Sequence, residues 1–290
     1  MTRGAILVLL ALTCATTASA QDASSACQAD GEERSVSAFL DCARAATARY
    51  HDPAAATLDG YRVIGRDFPA MGEHWINVSL LFDGRFDAAH PEVLTYTVIG
   101  GVPRLLGVAY ALPLLAGEAT PNWPPGMNAW HDHARTLESE TVLPQHDAHG
   151  HPAQMARLSM LHAWIWTDNP GGMFTAENWT IPFLRLGLAA PVGTSPAAAK
   201  AVSLVTGGLD YLLAMIDATV KLAPPARRAV AEIVNGSETA IREVLAGRSD
   251  SALSSADVDA LATKWSELWA QLDGAVAPET ARQLKLVQIR

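Results

Sequence analysis

The chain has 290 residues, 49% of them hydrophobic and 18% charged, with a formal net charge of −9. That apolar share at this length supports one large domain or two small ones around a buried core, and excludes a wholly disordered protein. The acidic balance, with no cluster of Lys or Arg, argues against nucleic acid as a partner, because nothing along the chain replaces the counterions of a phosphate backbone.

Residues 1–20, MTRGAILVLLALTCATTASA, have the layout of a secretory signal: Arg3 as the positive start, an apolar run from Ala5 to Leu12, and Ala18-Ser19-Ala20 as the cleavage site. The apolar run is too short for a membrane anchor. Thr13 before Cys14 does not suit lipidation, and cleavage removes that cysteine. Cys27 and Cys42 remain, and in an oxidising compartment they are expected to form one disulfide. Closing that loop stabilises the fold by roughly 3 kcal/mol in the chain-entropy model. The most apolar later stretch, Ala197 to Ala223, is interrupted by Lys200, Asp210, Asp217 and Lys221, so no membrane span is expected. The protein reads as secreted or periplasmic, its oligomeric state open.

The remainder divides into an N-terminal segment and helix over 21–59, a β-rich, His-containing domain over 60–192 and a helical region over 193–290. Val36, Phe39, Leu40, Ala43, Ala46 and Tyr50 form one stripe of a helix over 35–50, with Ser35 as its N-cap. The spacing predicts a strand over 75–81. Residues 93–99 and 102–112 read as a hairpin around Gly100-Gly101. The alternation over 156–166 predicts a strand with Met160, His162, Trp164 and Trp166 on one face. The polar stretch from Gly117 to Pro152 lies between. Helices are expected from Ser195-Pro196, after the break at Pro224-Pro225 and ending near Ala246-Gly247, and from Ser255 with Asp257 and Asp259 in its first turn. The fold class is α+β: a central antiparallel β-rich domain with an N-terminal helix and a C-terminal helical region.

All nine histidines fall between His51 and His162. On an extended backbone His131 and His133 project to the same side and can serve one ion, which they cannot do on a helix. His74 and His162 adjoin strand-like sequence and complete a candidate set of metal ligands. Imidazole suits zinc, copper, iron or nickel alike, so the divalent transition metal stays unidentified. Glu138 or Glu73 is the candidate ligand or general base, that is, the catalytic group of a metal-activated reaction. Trp75, Trp164, Trp166 and Trp179 are candidates for lining a pocket for a small-molecule ligand, although aromatic residues on strands are core by default. His146, His149 and His151 read as surface residues of a Gly- and Asp-containing loop. There is no G-x-S-x-G elbow, no H-E-x-x-H helix and no phosphate-binding G-x-x-x-x-G-K-[ST] loop. Three readings stand: a metal-dependent enzyme on a small substrate, a non-catalytic metal- or ligand-binding envelope protein, and a structural protein whose histidines belong to its core.

Two resemblances accompany these motifs. Ala48-Arg49-Tyr50-His51-Asp52 with Gly60-Tyr61, then Met71-Gly72-Glu73-His74-Trp75-Ile76-Asn77, then His90-Pro91-Glu92-Val93-Leu94-Thr95-Tyr96 resemble a family of bacterial secreted proteins of uncharacterised function. The block His162-Ala163-Trp164-Ile165-Trp166, followed by Asn169-Pro170 and Gly172-Met173-Phe174, continues the pattern, which runs from Ala48 to Leu188. The WHDH segment at Trp130 to His133 and the C-terminal helices are additions to it. Separately, His131-x-His133-x4-Glu138, with Gly126 upstream, is similar to the first metal motif of cupins, and that likeness gives His162 the part of a later ligand. The glycine cupins have soon after the glutamate, and their P-x-G before the later histidine, are missing here.

Overall fold

The computed structural model describes Cys27 and residues 35–115, 117–133, 155–191, 195–248 and 253–288. Ser35 caps the first helix, α1 (Val36–Thr47), by accepting a hydrogen bond from the Ala38 amide. A 3-10 turn over Ala48–His51 follows, and Asp52 then caps α2 (Pro53–Leu58), with Pro53 in its first turn. The α1 face carrying Phe39, Leu40 and Ala43 is buried against the sheet. Cys42 on that helix is bonded to Cys27, as the pairing of the two cysteines required. A structural bridge of this kind belongs to an oxidising environment.

The sheet comprises β1 (Arg62–Val63), β2 (Glu73–Ile76), β3 (Val93–Ile99), β4 (Val102–Leu115), β5 (His131–His133) and β6 (Met155–Ala163). It is antiparallel throughout, in the order β1-β2-β3-β4-β6-β5, so β5 lies at an edge and β6 is inserted between it and β4. The β3–β4 hairpin turns at Gly100 and Gly101, whose φ of 58° and 80° give the two positive values that a primed two-residue turn needs. One sheet face buries Leu94, Tyr96, Val108, Tyr110, Leu161 and Ala163 under α1. The other carries Ile76, Val93, Ala109, Ala111, Leu158 and Met160. The fold is therefore α+β, with an N-terminal helix, an antiparallel sheet and C-terminal helices.

Two expected strands are shorter than the alternation suggests. The strand expected over 75–81 ends at Ile76, because the Asn77 side chain accepts from the amides of Ser79 and Leu80 and starts a short helix, α3 (Val78–Leu81). The strand expected over 156–166 ends at Ala163. Beyond it the Trp164 amide donates to the Met173 carbonyl, Ile165 to Ala163 and Trp166 to Leu106. That turn removes Trp166 from the face shared by Met160 and His162.

After α4 (Ile181–Arg185) come α5 (Pro196–Ser203), a π turn over Leu204–Gly208, α6 (Leu209–Thr219), α7 (Pro224–Leu245), α8 (Ser255–Ala275) and α9 (Pro278–Gln288). Ser195 caps α5, and Ser254 caps α8 in a reciprocal box with Asp257. Val202, Leu212, Ile216, Val234, Leu261 and Leu268 build their common core. The helical stretch Pro196–Thr219 is, among the described residues, the one long and apolar enough to cross a membrane, with mean hydropathy 1.4. It is broken at Thr206 and Gly207, and its apolar face is buried in that core.

Candidate metal centre

His74, His131, His133 and His162 lie on the same face of the sheet. The registers fix this: His162 pairs with Ala109, Met160 with both Ala111 and His131, and Leu158 with His133. His74 pairs with Thr95, and Thr95 with Gly107. Side chains in register project to the same face, and alternation along each strand extends that face. The H-x-H pair is on extended backbone, which its use as two ligands of one ion requires.

His74 and His162 are separated by β3 and β4, so about 14 Å of sheet lies between their strands. Their ring centroids nevertheless stand 5.5 Å apart, at 90°. Both side chains therefore lean toward each other over the short residues Thr95, Gly107 and Ala109 that lie between them on this face. Gly107 is required here for a second reason: a Cβ would stand 2.5 Å from the Ala163 carbonyl oxygen. His131 lies 5.2 Å from His162 and 5.0 Å from His133, while Phe68 stands 5.3 Å from His74 at one end of the row and Trp164 stands 5.6 Å from His162 within it. The rings meet edge to face or tilted. Among the described residues, no three His, Cys, Asp or Glu side chains already stand as a converged ligand set for one ion.

His74 and His162 are each 1% exposed. Burial lowers the pKa of His74 to about 4. Burial lowers His131 to about 4 as well, reinforced by His133 and His74 and opposed by the Ala129 backbone and Asp132. His162 is held well below the usual histidine value by burial and then by the three neighbouring histidines. All three are neutral at pH 7, the form in which imidazole binds metal. Neither ring nitrogen of His162 meets a hydrogen-bond partner among the described residues. Nor does the hydroxyl of Thr95, directly opposite His74 and 1% exposed. A buried polar group without a partner costs about 1–3 kcal/mol, and two such groups lie on this one face. Nothing in the sequence singles out Thr95, because a β-branched residue in a strand is ordinary.

Several other expectations are corrected. Glu73 alternates with His74 along β2, so it lies on the opposite face, where its carboxylate accepts from the Trp75 indole at 3.2 Å. It cannot serve this cluster as ligand or base. Glu138 lies outside the described residues, as do the signal segment and His146, His149 and His151. The four tryptophans do not share a pocket. Trp75 stacks near Tyr96 on the α1 side of the sheet, and Trp166 bonds the Thr47 hydroxyl on α1. Trp179 packs on the C-terminal helices under Lys200. Trp164 alone stays beside His162, its indole donating to the Thr175 carbonyl. A cavity of about 680 Å³ instead opens between α1 and the segments around Met127 and Met173, lined by Leu40, Met127, Trp130, Met173 and Phe174 and reaching His131. Of the cupin-like motif, His131 and His133 lie on β5 at the edge of the six-stranded sheet, while its Glu138 lies outside the described residues.

Comparison with known proteins finds no match: no family model, no curated protein and no solved structure is similar to the chain.

Proposed function

We propose that this is a secreted or periplasmic protein that binds one transition-metal ion on the histidine face of its sheet, through His162, His131, His74 and His133. The carrying observation is the buried His162 ring, with both nitrogens unpartnered among the described residues and other histidine rings 5.2 and 5.5 Å away. Convergence on one ion about 2 Å from each donor requires these rings to reorient, since among the described residues no three of them already stand as a ligand set. The signal-like N-terminus, the resemblance to bacterial secreted proteins and the disulfide support the compartment. The cavity beside His131 favours a second reading, in which the bound ion acts on a small apolar molecule held there.

Elemental analysis of untagged protein, grown with zinc, copper, iron and nickel, tests the first reading. Close to one equivalent of a single metal is expected, falling sharply in His162→Gln. Below about a tenth of an equivalent in the unsubstituted protein, the histidines are core residues and the reading fails.

A further inference from the structure

Resting on that metal reading, we infer that the ion preferred by this face is copper(I), with the thioether of Met160 as a ligand beside His162, His131 and His74. Met160 is directly opposite His131 in the β5–β6 register and two residues from His162 on the same face of β6. Directly opposed residues bring their Cβ atoms to about 5 Å, and His131 and His162 lean together beside Met160. The side chain is 1% exposed and packs on this face of the sheet with Ile76, Val93 and Leu158.

The donor chemistry narrows the metal. Imidazole accepts zinc, copper, iron and nickel, but a thioether is a soft donor that selects copper(I) among them. The charge balance points the same way. Among the described residues, the carboxylates nearest in sequence to these histidines project elsewhere: Glu73 to the opposite face, and Asp132 toward Arg157 at 3.5 Å. A divalent ion here would keep its full double charge among neutral ligands and the apolar walls of Ile76, Val93 and Ala109. The cost of burying an ion rises with the square of its charge, so the monovalent ion is favoured where no anionic ligand offsets it.

The test uses the full mature chain, cleared of metal, titrated anaerobically with copper(I) against a chromophoric copper(I) chelator, and separately with zinc(II). Met160→Leu is the informative variant, because leucine keeps the volume and is well tolerated in a core while lacking sulfur. Circular dichroism verifies its fold. One equivalent of copper(I), held more tightly than zinc(II), is expected, with the substitution weakening copper(I) by about tenfold or more and leaving zinc(II) unchanged. Zinc binding as tight as copper(I), or a Met160→Leu protein with full copper(I) affinity, overturns the copper(I) assignment. The metal reading survives that result if His162→Gln still abolishes zinc binding. Stoichiometric binding of neither ion overturns both.

Discussion

Glu92 shows how far one residue's behaviour can depart from its type. It directly precedes β3, is 1% exposed, and accepts a hydrogen bond from the Ala111 amide at 3.0 Å. Burial is the main cause that raises its pKa to about 8, with Asp83 and Asp87 adding to the effect and the backbone hydrogen bonds opposing it. The folded chain therefore holds a proton that the unfolded chain releases near pH 4.5, and stability falls as pH rises from there to about 8. The slope is about 1.4 kcal/mol per pH unit. Glutamine keeps an acceptor for Ala111 and cannot ionise, so Glu92→Gln removes this slope. The buried histidines act in the opposite sense: their lowered pKa values make stability fall as pH drops from about 6.5 toward 4. They are common to both proteins and cancel in the difference. Urea unfolding at pH 5.5 and 7.5 is expected to find the advantage of Glu92→Gln larger at the higher pH by roughly 2–3 kcal/mol. An advantage that does not change with pH would show that Glu92 is ionised throughout. None of this was legible in the sequence, since a glutamate after a proline at a strand start is usually solvated. The histidines were legible because extended H-x-H and a strand histidine constrain direction, whereas Glu73 misled because its neighbour His74 takes the opposite face.

Single elements were readable where one residue dictates the backbone. Gly100-Gly101 specified the hairpin, Ser35 and Ser195 the starts of α1 and α5, and Pro224 the start of α7. The misses are places where a side chain or a tertiary bond competed with periodicity: Asn77 turning Val78–Leu81 into helix, and Leu106 and Met173 capturing the amides that end β6. The pairing of Cys27 with Cys42 belongs to this scale too, because it ties the segment before α1 to a helix whose buried face covers the sheet. The bridge spans 15 residues in sequence. Opening it restores chain entropy to the unfolded state, for a cost of about 2–4 kcal/mol. The Cys27→Ser, Cys42→Ser double variant is expected to unfold at a correspondingly lower denaturant concentration with its sheet intact by circular dichroism. An unchanged midpoint would mean that the segment before α1 contributes no restraint.

At the scale of the whole molecule, the question is what joins the sheet to the helical region, and a single arginine carries much of the answer. Arg185, at the end of α4, has a side chain only 6% exposed. Its guanidinium donates to the Thr97 hydroxyl on β3 at 2.8 Å, to the Thr206 carbonyl in the π turn at 3.0 Å, to the Phe68 carbonyl at 3.3 Å and to the Asp67 carboxylate. It therefore bonds the loop before β2, the strand β3 and the kink between α5 and α6 at once. Phe68 adds an aromatic contact to Tyr211 on α6 and another to His74, so the joint adjoins the histidine row. No sequence pattern announces this, because the partners are 21 to 118 residues away along the chain. Lysine cannot replace the planar fork that reaches all of them. Arg185→Met keeps the apolar stem but strands Thr97, which is 0% exposed, with the hydroxyl it now shares with Arg185. The expected loss is about 2–4 kcal/mol, at the lower end if the half-exposed Asp67 is simply resolvated. Because the broken bonds lie between the two regions, their unfolding should also separate. Calorimetry of the variant is expected to resolve two transitions where the unsubstituted protein has one, with Arg185→Lys intermediate. A single transition shifted by less than about 0.5 kcal/mol would place the coupling in the apolar contacts alone.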